Sequence, residues 1–218
     1  MGKTILTPTQ RQVLDILAKN SKFTSFYLTG GTALSEYYLH HRLSEDLDFF
    51  CASEIDVTWL NTLAHAIKRQ LHAGTLDMQQ SFNRNLIYFT IQKEILKTEF
   101  TYYPFPSIEK PKIHKGIKID SLIDIATNKF FTIYQKPTAR HFIDLYLIVQ
   151  TKSVTWKQLF LFARNKFDTH IDPIQLGSQL MLAQTVMDFP HLLKPLQESS
   201  WRSFFLQKAK ELKSEIVI

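Results

Sequence analysis

The segment from Thr29 to Phe50, TGGTALSEYYLHHRLSEDLDFF, constrains the fold more than any other part of the chain. Phe26, Tyr27 and Leu28 form a short apolar run that ends at Gly30 and Gly31, residues suited to a tight turn where a ligand comes close to the backbone. Thr32 stands where an N-cap belongs, and Ala33 and Leu34 open a helix whose exposed amides favour an anion such as phosphate. The chain returns through Asp46-Leu47-Asp48-Phe49, where strand geometry places both carboxylates on one face and sends Leu47 and Phe49 into the core. Two carboxylates about 6 to 7 Å apart at Cα suit a hard divalent cation such as Mg²⁺. A bare Asp-x-Asp is usually a pair of solvent-facing acids; the glycine turn ahead of it argues against that reading here.

With 218 residues, 44% of them hydrophobic, the chain has enough apolar side chains for one sizeable domain or two small lobes. Lys and Arg number 26 against 20 Asp and Glu, a formal charge of +6, which inclines the chain towards a polyanionic partner without identifying it. Cys51 is the only cysteine, so an intrachain disulfide and a multi-thiolate zinc site are both excluded. The eight histidines are scattered, apart from the adjacent His40 and His41, which diverge on a helix, and they form no ligand set. No segment reaches the roughly 18 to 20 apolar residues that cross a bilayer, so the expected location is cytoplasmic, without membrane attachment.

Thr7 and Pro8 read as an N-cap and first helical residue, with Val13, Ile16 and Leu17 following at helical spacing. Leu60, Leu63, Ile67 and Leu71 define a second amphipathic helix from about Val57 to Leu71. Residues 76 to 82, 86 to 92 and 95 to 103 are short β-prone runs, separated by Asn83-Arg84-Asn85 and Lys93-Glu94, a pattern of antiparallel hairpins that completes a mixed sheet. Residues 104 to 116, with three prolines and one glycine, read as a connection. After Asp120 the periodicity is helical, with breaks near Pro137, Asp172-Pro173 and Pro190. The expected division is 1–110 and 111–218. The last helix, Ser200 to Lys213, sets Trp201, Phe205, Ala209 and Leu212 for packing and leaves Arg202, Lys208, Lys210 and Lys213 largely outside.

On the strand 95 to 103, Ile95, Lys97, Glu99 and Thr101 share one face. Glu99 is either a third carboxylate of the site or an exposed acid at the sheet rim, and Lys97 is either a phosphate contact or a solvated lysine. Lys129 interrupts an apolar stripe of Leu122, Ala126 and Ile133, and Asp144 sits inside the apolar run from Phe142 to Val149; each requires a partner. Arg140, one turn before Asp144, and Lys129 are the candidate partners if Asp144 is architectural.

Gly30, Gly31, Thr32 and Leu34, followed by Arg42, Ser44, Asp46 and Asp48, resemble the first motif of the AbiEii/AbiGii toxin-type nucleotidyltransferases, of the polymerase-beta-like superfamily. Only the usual serine after the glycines is changed, to Thr32. Lys129 and then Arg140-His141-Phe142-Ile143-Asp144-Leu145 are similar to the family's later motif, with His141 in place of an aspartate. The resemblance implies an α+β fold: a polymerase-beta-like nucleotidyltransferase domain with a mixed sheet, joined to an α-helical C-terminal lobe, with the active site between them. It implies transfer of a nucleoside monophosphate from an NTP to a hydroxyl, with Gly30, Gly31, Thr32, Arg42, Ser44 and Lys129 at the nucleotide. Asp46, Asp48 and Glu99 would hold Mg²⁺, or alternatively Mn²⁺, Glu99 could also accept the attacking hydroxyl's proton, and Asp144 would orient the site. The implied acceptor is RNA, with the tRNA 3′ end known for some relatives, in a toxin opposed by a cognate antitoxin. Arg42, Lys97, Lys129, Arg140 and the outward face of the last helix are the candidate phosphate contacts. A small-molecule nucleotidyltransferase of the antibiotic type and a silent nucleotide- or RNA-binding module are the rival readings.

Overall fold

The structure, a computed structural model, describes residues 4–212. It divides into two compact units. The first comprises residues up to His40, Ser44–Pro106 and Lys110–Ser121; the second comprises His41–Leu43, Ser107–Glu109 and the chain from Leu122 onward.

The first unit is built on a seven-stranded mixed sheet. Its strands are β1 (Tyr27–Thr29), β2 (Leu47–Cys51), β3 (Thr75–Ser81), β4 (Arg84–Ile91), β5 (Glu94–Tyr102), β6 (Lys112–His114) and β7 (Ile117–Ile119), in the order β3-β4-β5-β2-β1-β7-β6. The pairs β2/β5 and β1/β7 are parallel and the others antiparallel. One face carries Leu47, Phe49, Ile87, Phe89 and Phe100, all fully buried, and α3 (Val57–Gln70) presents buried Leu60, Leu63, Ala64 and Ile67. Phe23 meets Phe49 edge-on at 5.1 Å and Phe26 stacks on Trp59 at 5.6 Å, so the loop before β1 closes this core. The helix α1 (Pro8–Ala18) starts as its sequence predicts. Thr7 accepts from the Gln10 amide, the Gln10 side chain accepts from the Thr7 amide, and Pro8 occupies the first turn.

Two local readings are corrected. The expected connection at 104–116 contains β6, which forms a hairpin with β7 through Lys115 and Gly116, at φ 48° and 81°. A two-residue loop with both residues left-handed matches the twist of a hairpin, and the upstream prolines masked it. The sheet therefore continues past residue 110, and residues 110–121 belong to the first unit. Arg84 is the first residue of β4 and lies outside the turn, which is Phe82-Asn83.

The second unit is helical: α4 (Leu122–Gln135), α5 (Ala139–Gln150), α6 (Trp156–Phe167), α7 (Pro173–Met181) and α8 (Glu198–Glu211). The breaks near Pro137 and Pro190 fall between helices, while Asp172-Pro173 caps and starts α7. Phe142 packs on Phe205 at 4.8 Å and Phe130 on Trp156 at 5.1 Å, which joins α4, α5, α6 and α8 around one core. Arg202 is not on the outward face of α8. Its guanidinium donates to the carbonyls of Ala183 and Val186 and lies 4.5 Å over the Trp201 ring. Lys213 lies outside the described residues. Among the described residues no helix is long and apolar enough to cross a membrane.

Candidate functional site

The turn after β1 defines one side of the site. Gly30 has φ +72°, and a Cβ there would collide with the Asp48 carboxylate and lie 3.2 Å from its Cγ. Only glycine lets the backbone lie this close to Asp48. The helix α2 (Gly30–Leu34) begins at Gly30, with Thr29 as an N-cap that makes no side-chain cap bond. Thr32 is therefore inside the helix and is not its cap; its hydroxyl donates to the Asp46 carbonyl. A π-helical turn, Ser35–Leu39, follows and ends at His40, which takes a left-handed conformation, so His40 and His41 do not share a helix.

Side chains hold the approach to β2. The amide of buried Gln10 donates to the carbonyls of Ser44 and Glu45, both at 3.0 Å, and Thr32 holds the next carbonyl, that of Asp46. Asp46 is the last residue before β2. Asp48 pairs in register with Thr29 on one side and with Glu99 of parallel β5 on the other, so Asp48 and Glu99 point to the same face. Lys97 and Arg84 lie on that face too, since Arg84 pairs with Thr101.

These charges meet in pairs. Lys97 Nζ donates to Asp46 Oδ2 at 2.7 Å, so Lys97 is not a solvated lysine. Glu99 is 6% exposed and accepts a two-pronged bond from Arg84, with Nε and Nη2 each at 2.7 Å, plus one from the Thr101 hydroxyl at 2.8 Å. Its place is therefore a sheet interior rather than an exposed rim. Burial raises the Glu99 pKa, but the bonds from Arg84 and Thr101 and the Arg84 and Lys97 charges outweigh burial and hold it below its ordinary value. Burial lowers the Lys97 pKa, and the bond to Asp46 with the charges of Asp46, Asp48 and Glu99 more than reverses this. The donor set is all carboxylate oxygen, which fits a hard cation. Among the described residues no three His, Cys, Asp or Glu side chains are already gathered as a metal cage; Asp46 and Glu99 are instead turned to Lys97 and Arg84.

Arg42, Lys129 and Asp144 come together in the second unit. Asp144 is fully buried and accepts from Arg42 Nε at 2.7 Å and Nη2 at 2.8 Å, while Lys129 Nζ lies 2.6 Å from Oδ2. His41 Nε2 lies 2.7 Å from Oδ1. Arg140 is exposed and makes no hydrogen bond or ion pair with Asp144. Burial pushes the Asp144 pKa up, and Lys129, Arg42 and His41 together hold it well below the usual carboxylate range. Burial lowers the His41 pKa more than the Asp144 carboxylate raises it, and Nε2, facing an acceptor carboxylate, is the donor. A second buried pair, Lys166 on Asp124 at 2.6 Å, ties α6 to α4, and the Asp124 carboxylate also accepts the amides of Ile108 and Glu109. Of the expected phosphate contacts, Arg42, Lys97 and Lys129 are thus engaged with carboxylates, and Lys208 pairs with Glu211 at 2.7 Å.

Sequence reasoning missed Gln10, Arg84 and His41. Extending the strand alternation back from Leu86 and Tyr88 would have put Arg84 on the Glu99 face. No sequence signal links Gln10 to residues 44 and 45, or His41 to Asp144.

Comparison with known proteins agrees with this construction. A 26% identical protein of Aquifex aeolicus, the uncharacterized aq_aa25, aligns over 204 residues, 93% of this chain and 95% of its own length. JHP933 of Helicobacter pylori superposes with a TM-score of 0.56 at 20% identity, over 95% of this chain and 90% of that one. A second Helicobacter pylori structure, described as a nucleotidyltransferase, gives 0.60 at 21% identity over 95% and 92%. These likenesses establish the fold. A family model described as nucleotidyl transferase AbiEii toxin, type IV toxin–antitoxin system, matches residues 12–211, which take in the glycine turn, the paired aspartates, Glu99 and the buried Asp144 cluster. The chain belongs to the AbiEii nucleotidyl transferase toxin family.

Proposed function

We propose that the protein transfers a nucleoside monophosphate from an NTP to a hydroxyl at the 3′ end of an RNA, namely tRNA, in the cytoplasm, as a toxin opposed by a cognate antitoxin. The observation that carries this reading is the register of Asp48 beside Glu99, with the Gly30 turn against Asp48. The acceptor hydroxyl oxygen attacks the α-phosphorus and gives up its proton to solvent, the bond to the bridging oxygen breaks, and pyrophosphate leaves.

Gly30 and Gly31 bring backbone amides to the triphosphate, with Thr32 fixing the turn to the Asp46 carbonyl. Asp46, Asp48 and Glu99 would hold Mg²⁺ or Mn²⁺, which supplies charge stabilisation of the phosphoryl group and its leaving oxygen. With its carboxylate kept ionised and both oxygens engaged, Glu99 is suited to holding charge in place and poorly suited to taking up the acceptor's proton. In the second unit two cations, Arg42 and Lys129, share the single carboxylate of Asp144, which supports a phosphate contact for Lys129 and an orienting role for Asp144. Ser44 offers its backbone carbonyl to Gln10 and leaves its hydroxyl for the nucleotide. The net charge of +6 supports a polyanionic acceptor.

The test is incubation with each labelled NTP, Mg²⁺ and total cellular RNA. Label enters an RNA with the native protein. Asp46→Asn and Asp48→Asn each lower the rate by about a hundredfold or more while the folded state persists. RNA binding weakens steeply from low to physiological salt as counterions are released. Near-native turnover in either variant removes the metal role, and label found only on a small molecule replaces RNA as the acceptor.

A further inference from the structure

Asp48 and Glu99 share one sheet face in the first unit, Asp46 stands just ahead of β2 and reaches Lys97 on that face, and the chain provides two cations to meet these carboxylates. Arg84 and Lys97 are not equivalent. The Arg84 fork is locked on both oxygens of Glu99, whereas Lys97 offers a compact ammonium on a flexible stem to a single oxygen of Asp46. Lys97 lies two residues before Glu99 and therefore on its face, and Glu99 is in register with Asp48. The charges of Asp46, Asp48 and Glu99 all bear on Lys97. Its side chain is 27% exposed and that of Asp46 35%, so the pair can open without unpacking the core.

We propose that the Lys97 ammonium is the site's built-in counter-ion, which holds Asp46 among its neighbouring acids in the metal-free protein and is displaced when a divalent cation binds. The proposal rests on the metal role given above to Asp46, Asp48 and Glu99. With Arg84 committed to Glu99, the neighbouring charges of Asp46 and Asp48 would repel each other without a further cation. An ammonium offsets that repulsion with one charge, and a divalent ion replaces it with two. Lys97 therefore keeps the carboxylates assembled and competes with the ion they are assembled for. Arg84 cannot take this part, because its release would leave buried Glu99 without its bidentate partner.

The probe is Mn²⁺ titrated into the full-length protein without nucleotide, with free ion read by electron paramagnetic resonance. Lys97→Met keeps the length of the stem and removes the charge, and it binds Mn²⁺ about tenfold more tightly than the native protein. A second measurement needs no variant. Reductive methylation followed by peptide mass spectrometry shows Lys97 labelling rising several-fold on addition of Mn²⁺, with exposed Lys136 as internal standard. Measurable Mn²⁺ binding with equal or weaker affinity in Lys97→Met, or with unchanged Lys97 labelling, overturns the counter-ion and leaves the metal site standing. Failure of both proteins to take up millimolar Mn²⁺ overturns the metal role and the counter-ion with it.

Discussion

Gly30 shows how much a single residue can decide. Its φ of +72° is one that side-chain-bearing residues rarely adopt, and the space beside its Cα is filled by the Asp48 carboxylate. Gly30→Ala therefore carries two penalties, backbone strain and displacement of Asp48. The expected loss is about 1 to 3 kcal/mol of stability in urea unfolding, with transfer activity reduced beyond what the lost folded fraction explains. Gly74→Ala is the contrast: a Cβ there meets only the Thr90 carbonyl at an ordinary 3.8 Å, so it is neutral or slightly stabilising. Equal destabilisation by the two substitutions would show that the Gly30–Asp48 approach has no special importance.

Between elements, the decisive connection is from α1 to the residues ahead of β2. Gln10 completes the N-terminal capping box of α1 with its carbonyl oxygen and holds Ser44 and Glu45 with its amide nitrogen, so one side chain couples a helix start to the placement of Asp46. Gln10→Ala removes both sets of bonds. Stability falls by about 1 to 2 kcal/mol, from the cap and the unpaired carbonyls. On the metal role proposed for Asp46, the transfer rate falls about tenfold to a hundredfold through the loosened Asp46, since supporting bonds of this kind carry that weight around metal ligands. A variant that loses stability and keeps its full rate would limit Gln10 to capping.

At the scale of the molecule, acid sensitivity comes from buried His41 and half-buried His141 before it comes from the carboxylates. His141 is pushed down to about 3, first by burial and then by the Lys129 and Arg140 charges, and burial lowers His41 as well. Below about pH 6.5 the unfolded chain protonates these rings while the folded one does not, so the unfolded state binds more protons and stability drops as pH falls. Their contribution is complete above that pH. Asp144, Asp124 and Glu99, with depressed values, stay ionised in both states until the pH approaches the ordinary carboxylate range, so their contribution is lost only at lower pH. Urea unfolding at pH 7, 6 and 5 should show stability declining by up to about 1.4 kcal/mol per pH unit from His141, with His41 adding in the same direction. His141→Gln flattens the slope; an unchanged slope in that variant would assign the decline to other groups.

The sequence by itself determined the longer elements and their type. Thr7-Pro8 and the spacing of Leu60, Leu63 and Ile67 specify helices, the alternation from 86 to 103 specifies strands, and Gly30-Gly31 with Asp46 and Asp48 marks the candidate site, because caps, periodicity and turn chemistry act over a few residues. Only the tertiary structure decided which charges meet. Asp144 receives Arg42 and His41 from about a hundred residues away in place of its helix neighbour Arg140, and Lys97 finds Asp46 across a parallel strand pair. The β6–β7 hairpin was hidden for a related reason: its strands are too short to show a pattern of their own, and β7 is held by pairing with β1 while β6 is held by β7. Ion pairing depends on strand register and on which helix faces are packed together, and neither quantity is encoded in the spacing of the residues that form the pair.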